Sequence, residues 1–113
     1  MAFSNGKLAD IQVVGSGSTV GIITVASSKK VYIRSIAAYS PTGTASTAHV
    51  YVVPNGGSVG DSTKLFHITL SANETALLEP IYPIVLDTTG DTLHVGTASG
   101  SSINFFLTGD REV

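Results

Sequence analysis

The sequence predicts an all-β chain folded as an antiparallel β-sandwich of about eight strands. Three observations point there. Apolar and polar residues alternate at a period of two through most of the chain, the spacing that turns one face of a strand toward a core. Clusters of Gly, Pro, Asn, Asp and Ser interrupt these short runs at a spacing of roughly 10–12 residues, as in sandwiches and barrels. No window carries the 3.6-residue apolar stripe of a crossover helix, so a parallel βαβ arrangement is excluded. Jelly-roll-like and immunoglobulin-like strand orders both satisfy this pattern.

The elements follow in order. Residues 1–7 are too polar and too Gly-broken to join a core, and read as a flexible arm with Phe3 as its one large apolar group. Residues 8–108 form one sandwich domain. Its candidate strands are Leu8–Val14, Thr19–Ala26, Lys30–Tyr39, Ser46–Val53, Lys64–Leu70, Thr75–Leu78 continuing irregularly to Leu86, Thr92–Val95 and Ser102–Thr108. Residues 109–113 hold three charges and read as an exposed tail. Alternation assigns the faces: Phe66, Ile68 and Leu70 turn inward in one strand, and Ile103, Phe105 and Leu107 in another. In Lys30–Tyr39 the phase slips, because Val31 and Ile33 are in step and then Ile36 and Ala38. A β-bulge near Arg34-Ser35 restores the inward face. The best helical segment is Ser71–Leu78, where Ser71 as N-cap and Glu74 at N3 allow one turn at most.

Composition bounds the function. Six basic and eight acidic residues make only 12% of the chain charged, against 42% hydrophobic. A typical soluble domain carries about a quarter charged residues. Ser, Thr and Gly take the polar positions instead. Such a surface has little self-repulsion and few charges to desolvate when a neighbour covers it. The chain therefore reads as a building block of an assembly. A net charge of −2 without a basic stripe argues against nucleic acid. No apolar stretch reaches the ~20 residues of a membrane helix, and the N-terminus lacks the pattern of a secretory signal. With no cysteine, disulfides and thiolate metal sites are excluded.

No motif points to catalysis or a cofactor. His49, His67 and His94 lie in three different strands without ligand spacing, and read as surface or subunit-facing histidines rather than a zinc set. Asp87-Thr-Thr-Gly90-Asp91 offers two carboxylates, too few for calcium, and reads as a turn. Gly15-Ser-Gly17-Ser-Thr-Val-Gly21 has the wrong spacing for a dinucleotide loop and leads into a strand. Glu74 and Glu79 read as solvated loop charges, and Asn73-Glu74-Thr75 as a chance glycosylation sequon. The aromatic residues are more informative. Phe3, Tyr32, Tyr51 and Tyr82, with Arg34 two residues from Tyr32, are candidate interface anchors, since aromatic and Arg side chains dominate contact surfaces.

The stretches Val31-Tyr-Ile-Arg-Ser-Ile36, Pro41-Thr-Gly-Thr-Ala-Ser-Thr-Ala-His-Val-Tyr-Val-Val53 and Val85-Leu-Asp-Thr-Thr-Gly-Asp-Thr-Leu-His-Val-Gly96 resemble small β-sandwich structural proteins of tailed bacteriophages. The resemblance spans roughly Lys30 to Leu107. It implies a non-enzymatic virion protein, assembled in the host cytoplasm, most simply a capsid decoration (cement) protein. The expected partners are further copies of the chain, with a trimer the first expectation, and a major capsid protein or other virion proteins. The alternative is a tail, baseplate or head–tail module, contacting a receptor or glycan.

Overall fold

The computed structural model of the chain describes residues 3–112. Ten strands account for its regular structure: β1 (Phe3–Lys7), β2 (Gln12–Val14), β3 (Thr19–Thr24), β4 (Val31–Tyr39), β5 (Ser46–Val53), β6 (Lys64–Leu70), β7 (Thr75–Leu78), β8 (Ile84–Leu86), β9 (Thr92–Thr97) and β10 (Ile103–Glu112). They form two antiparallel sheets, so the predicted all-β sandwich class is observed. In the six-stranded sheet β10 pairs with β4. Both β1 and β2 lie along the outer edge of β10, and both β7 and β8 along the outer edge of β4. The four-stranded sheet runs β3-β9-β5-β6.

The inner faces meet in one core. Ile33, Ile36, Ile103, Phe105 and Leu107 come from the six-stranded sheet, and Ile23, Ala48, Val50, Leu93 and Val95 from the other. Phe105, Ile33 and Val50 have no exposed surface. Phe66 and Ile68 turn inward as predicted, but β6 is an edge strand, so they are only partly buried against the core.

The predicted bulge is present. Thr108 pairs with Ser35 and Gly109 with Ile33, which leaves Arg34 without a partner in β10. This extra residue keeps Val31 and Ile33 in phase with Ile36 and Ala38, all four buried. A Cβ added at Gly109 would lie 2.0 Å from the Tyr32 carbonyl oxygen, so the strands approach this closely only because residue 109 has no side chain.

Three expectations change. The irregular stretch after Thr75 is two strands, β7 and β8, separated by a protruding loop at 79–83. Of the expected arm, residues 3–7 are strand β1, in register from Phe3 opposite Glu112 to Lys7 opposite Thr108, although all five remain exposed; residues 1 and 2 lie outside the described residues. Of the expected exposed tail, residues 109–112 continue β10 and Glu112 is only 8% exposed, its N–H donating to the Lys30 carbonyl; residue 113 lies outside the described residues. The Ser71 segment, expected to hold at most one helical turn, holds none. Glu74 Oε1 does accept the Ser71 N–H at 2.8 Å, the back-bond of a capping box, but it closes a β-turn whose Asn73 sits at φ 59°.

Candidate interaction face

The outer face of the six-stranded sheet carries most of the exposed large apolar side chains. Two patches stand out. The first is built around the bulge. Phe3 on β1 packs its ring 5.6 Å from that of Tyr32 on β4. Arg34, pushed out by the bulge, donates from Nε to Asp110 Oδ2 at 2.6 Å. With Pro83 these four line a shallow groove of about 400 Å³. The Arg34 end of the pair is open to water, so its worth lies in orientation more than in stability.

The second patch lies toward the other end of the same face. Val13, Asn104 and Tyr39 stand in register across β2, β10 and β4, and Phe106, Ala37 and Leu77 across β10, β4 and β7. Ile11 closes its edge. Ile11, Val13 and Leu77 are 61%, 70% and 62% exposed, a large fraction for apolar side chains grouped together. No charged residue belongs to this set. Ile11, Ala37, Tyr39, Asn104, Phe105 and Phe106 line a groove of about 210 Å³ within it. Tyr39 is steered at its polar tip by Asn73 Oδ1, which accepts its hydroxyl at 3.3 Å.

The candidate anchors therefore separate. Phe3, Tyr32 and Arg34 converge on one groove. Tyr82 follows in the 79–83 loop beside Pro83 and is 83% exposed. Tyr51 lies on the other sheet and is only 7% exposed, so it presents little surface to a partner. It is covered because its hydroxyl meets His49 Nδ1 at 3.1 Å, Lys64 lies over its ring, and the ring rests against Gly96, where no side chain intervenes. Sequence reasoning missed Ile11, Val13, Tyr39, Leu77 and Ile81.

The three histidines share the outer face of the four-stranded sheet. His49 and His67 are cross-strand partners with rings stacked at 4.7 Å. His94 bonds Thr92 at 3.2 Å and lies over Gly21. Among the described residues no three His, Cys, Asp or Glu side chains gather as a metal set. Burial pushes the His49 pKa down, and the nearby positive charge of Lys64 and the His67 ring push it the same way, against a small opposing pull from Asp61. Among the described residues its buried Nε2 has no hydrogen-bond partner.

The Asp87–Asp91 segment is a turn: Asp91 accepts from the backbone N–H groups of Thr88 and Asn55 at 3.2 and 3.1 Å, and Gly90 takes φ 89°. Gly17 takes φ 63° in a turn leading into β3.

No protein-family model matches the chain, and no curated protein matches it. Solved structures do. A chain from Bacillus endospore appendages, described as a family of disulfide-linked pili, superposes with a TM-score of 0.54 at 15% identity, covering 98% of this chain and 88% of that one. A chain of the virus-like particle of the Macrobrachium rosenbergii extra small virus gives 0.48 at 10% identity, covering 100% and 81%. One from infectious bursal disease virus gives 0.45 at 14% identity, where 97% of this chain spans only 32% of that one. This chain has no cysteine with which to form the pilus link. At these identities the likeness is one of fold, a two-sheet antiparallel β-sandwich.

Proposed function

We propose that this chain is a non-enzymatic structural subunit of a virion, a capsid decoration protein that associates with its own copies and covers the head shell. One observation carries the reading: the charge-free apolar patch of Ile11, Val13, Ala37, Tyr39, Leu77 and Phe106 on the outer face of one sheet. A lone soluble domain gains nothing from leaving such a patch wet, and patches of this kind mark contact surfaces. The fold likeness to a pilus chain supports a structural role, and the resemblance to tailed-phage sandwich proteins supports the virion. The work of such a subunit is thermodynamic. Binding the assembled lattice and not its free parts opposes dissociation by mass action. A trimer is the order that local three-fold positions of a shell favour.

A second reading, a tail or baseplate module that contacts a receptor or glycan, draws on the first groove. There Phe3 and Tyr32 offer ring faces beside the Arg34–Asp110 pair, the chemistry that grips a sugar ring. Copy number in purified particles separates the two. Hundreds of copies, with particles lacking the protein losing heat resistance, is the expected result. A handful of copies confined to the tail, with unchanged heat resistance, refutes the decoration reading.

A further inference from the structure

We infer that the seam between β5 and β6 is acid-sensitive: a proton taken up by His49 releases the edge strand β6 from the four-stranded sheet while the rest of the sandwich stays folded.

The His49 and His67 rings stack at 4.7 Å, 26° from parallel, across directly paired residues of the two strands. His49 Nδ1 lies 3.1 Å from the Tyr51 hydroxyl, while Nε2 is buried and has no partner among the described residues. The neutral tautomer that suits this site donates from Nδ1–H to Tyr51 and leaves Nε2 bare. A second proton must go to Nε2. There it creates a buried, charged N–H with no acceptor, which is costly.

The surroundings do not welcome that charge. From β6, the His67 ring covers His49 and Lys64 stands nearby, its Nζ 5.9 Å from the centre of the Tyr51 ring. Asp61, in the loop before β6, pulls the other way but lies 3.5 Å from Lys64. On β9 the residue opposite His49 is Gly96, and His94, opposite Tyr51, is bonded to Thr92. Beyond β9, strand β3 carries no charged residue. Burial first, then Lys64 and His67, therefore keep the proton off His49.

Strand β6 is the element free to yield. It pairs with β5 alone among the described residues, whereas β5 is paired on both sides. Its ladder is irregular beside the stack: Phe66 pairs with Val50 and Lys64 with Tyr51, which leaves Leu65 without a partner. Its inward side chains Phe66 and Ile68 are only partly buried. The loop at 54–63 leads into β6, so its first half can lift without pulling on another strand. Lifting carries His67 and Lys64 away and brings Nε2 to water. The open form then accepts the proton that the closed form rejects. Between the depressed pKa of His49 and the ordinary value of about 6.5, the open form holds the extra proton, so opening rises about tenfold per unit of acidification.

Hydrogen exchange of the full chain, followed by NMR with intrinsic rates corrected, tests this from above to below about pH 6.5. The β6 amides bonded to β5 should open about tenfold more often per pH unit, with little dependence on urea because little surface is exposed. The β10 amides should open more rarely and with the steep urea dependence of global unfolding. His49→Gln should abolish the pH dependence of β6 and leave its opening above pH 6.5 unchanged to within about threefold. In the native chain the acid effect should level off at the pH where the His49 ring signal titrates. If β6 amides match β10 in opening and in urea dependence, the strand leaves only with the whole domain and the seam is overturned. Local opening that ignores pH, or whose pH dependence survives His49→Gln, overturns the role of the proton. So does a His49 ring signal that titrates at or above the ordinary imidazole value, a result that needs no variant.

Discussion

Gly109→Ala tests the bulge on which the first groove depends. The new Cβ would start 2.0 Å from the Tyr32 carbonyl oxygen, 3.0 Å from its carbonyl carbon and 3.1 Å from the Arg34 nitrogen. Carbon atoms settle at about 3.5–4.0 Å from their non-bonded neighbours, so β4 and β10 must part by more than 1 Å. Neither strand can move freely, because each is paired again on its far side, to β7 and β8 or to β1 and β2. Parting them weakens at least two ladder bonds, at about 1 kcal/mol each. It also loosens the packing of Ile33 and Leu107, both buried. A loss of about 3 kcal/mol is expected, which lowers the melting temperature by roughly 10–20 °C for a domain of this size. Urea unfolding followed by far-ultraviolet circular dichroism measures it. Thr108→Ala, one residue away and outward-facing, is the control and should cost under about 0.5 kcal/mol. Deleting Arg34 in the Gly109→Ala background removes the bulge and should restore part of the loss. A Gly109→Ala domain as stable as its parent refutes the register of β4 on β10, and with it the placement of Arg34 beside Asp110.

Phe105→Ala empties the centre of the core and should cost about 3–5 kcal/mol in the same assay. His49 holds its proton less readily folded than unfolded, so the unfolded chain takes up the extra proton and stability should fall as pH drops below the ordinary imidazole value of about 6.5. His49→Gln should flatten that acid limb of a stability–pH curve, and an unchanged limb counts against the assignment. Deleting residues 1–7 removes a strand that contributes no side chain to the core, so the domain should stay folded and lose on the order of 1–2 kcal/mol. The same deletion bares the β10 edge at 108–112, and light scattering should detect aggregation of the variant at concentrations the parent tolerates.

The sequence exposed what rests on side-chain alternation. Period two sorted Phe66 and Ile68 from Leu65 and His67, and the break between Ile33 and Ile36 located the bulge to within a residue. What it hid rests on backbone. Phe3–Lys7 shows no alternation because none of its side chains enters the core, and its ladder to β10 leaves no mark on the pattern. Gly109–Glu112 looked like a polar tail because a glycine demanded by close approach and three charged residues interrupt the apolar phase. Tyr51 looked outward-facing and is, but cross-strand neighbours cover it. The second patch was partly legible. Ala76, Leu77 and Leu78 are apolar at both phases, the mark of a strand with two apolar faces, and only the sheet order shows that Leu77, Tyr39 and Val13 share one surface.

The two outer faces are treated so differently that the difference itself is informative. On the four-stranded sheet, bare backbone is shielded. His94 lies over Gly21, Tyr51 rests on Gly96, and Thr47 and Thr69 share a cross-strand hydroxyl contact at 3.2 Å. Aromatic rings over strand glycines and paired hydroxyls finish that face within the chain. On the six-stranded sheet the corresponding positions hold Val13 and Leu77, 70% and 62% exposed, with Tyr39 between them. The four-stranded face thus carries mainly histidine and hydroxyl side chains with Leu65 exposed at its edge, while the six-stranded face groups Ile11, Val13, Tyr39 and Leu77 at one end and the Arg34–Asp110 pair at the other. That asymmetry supports the proposed reading of the six-stranded face as the contact surface.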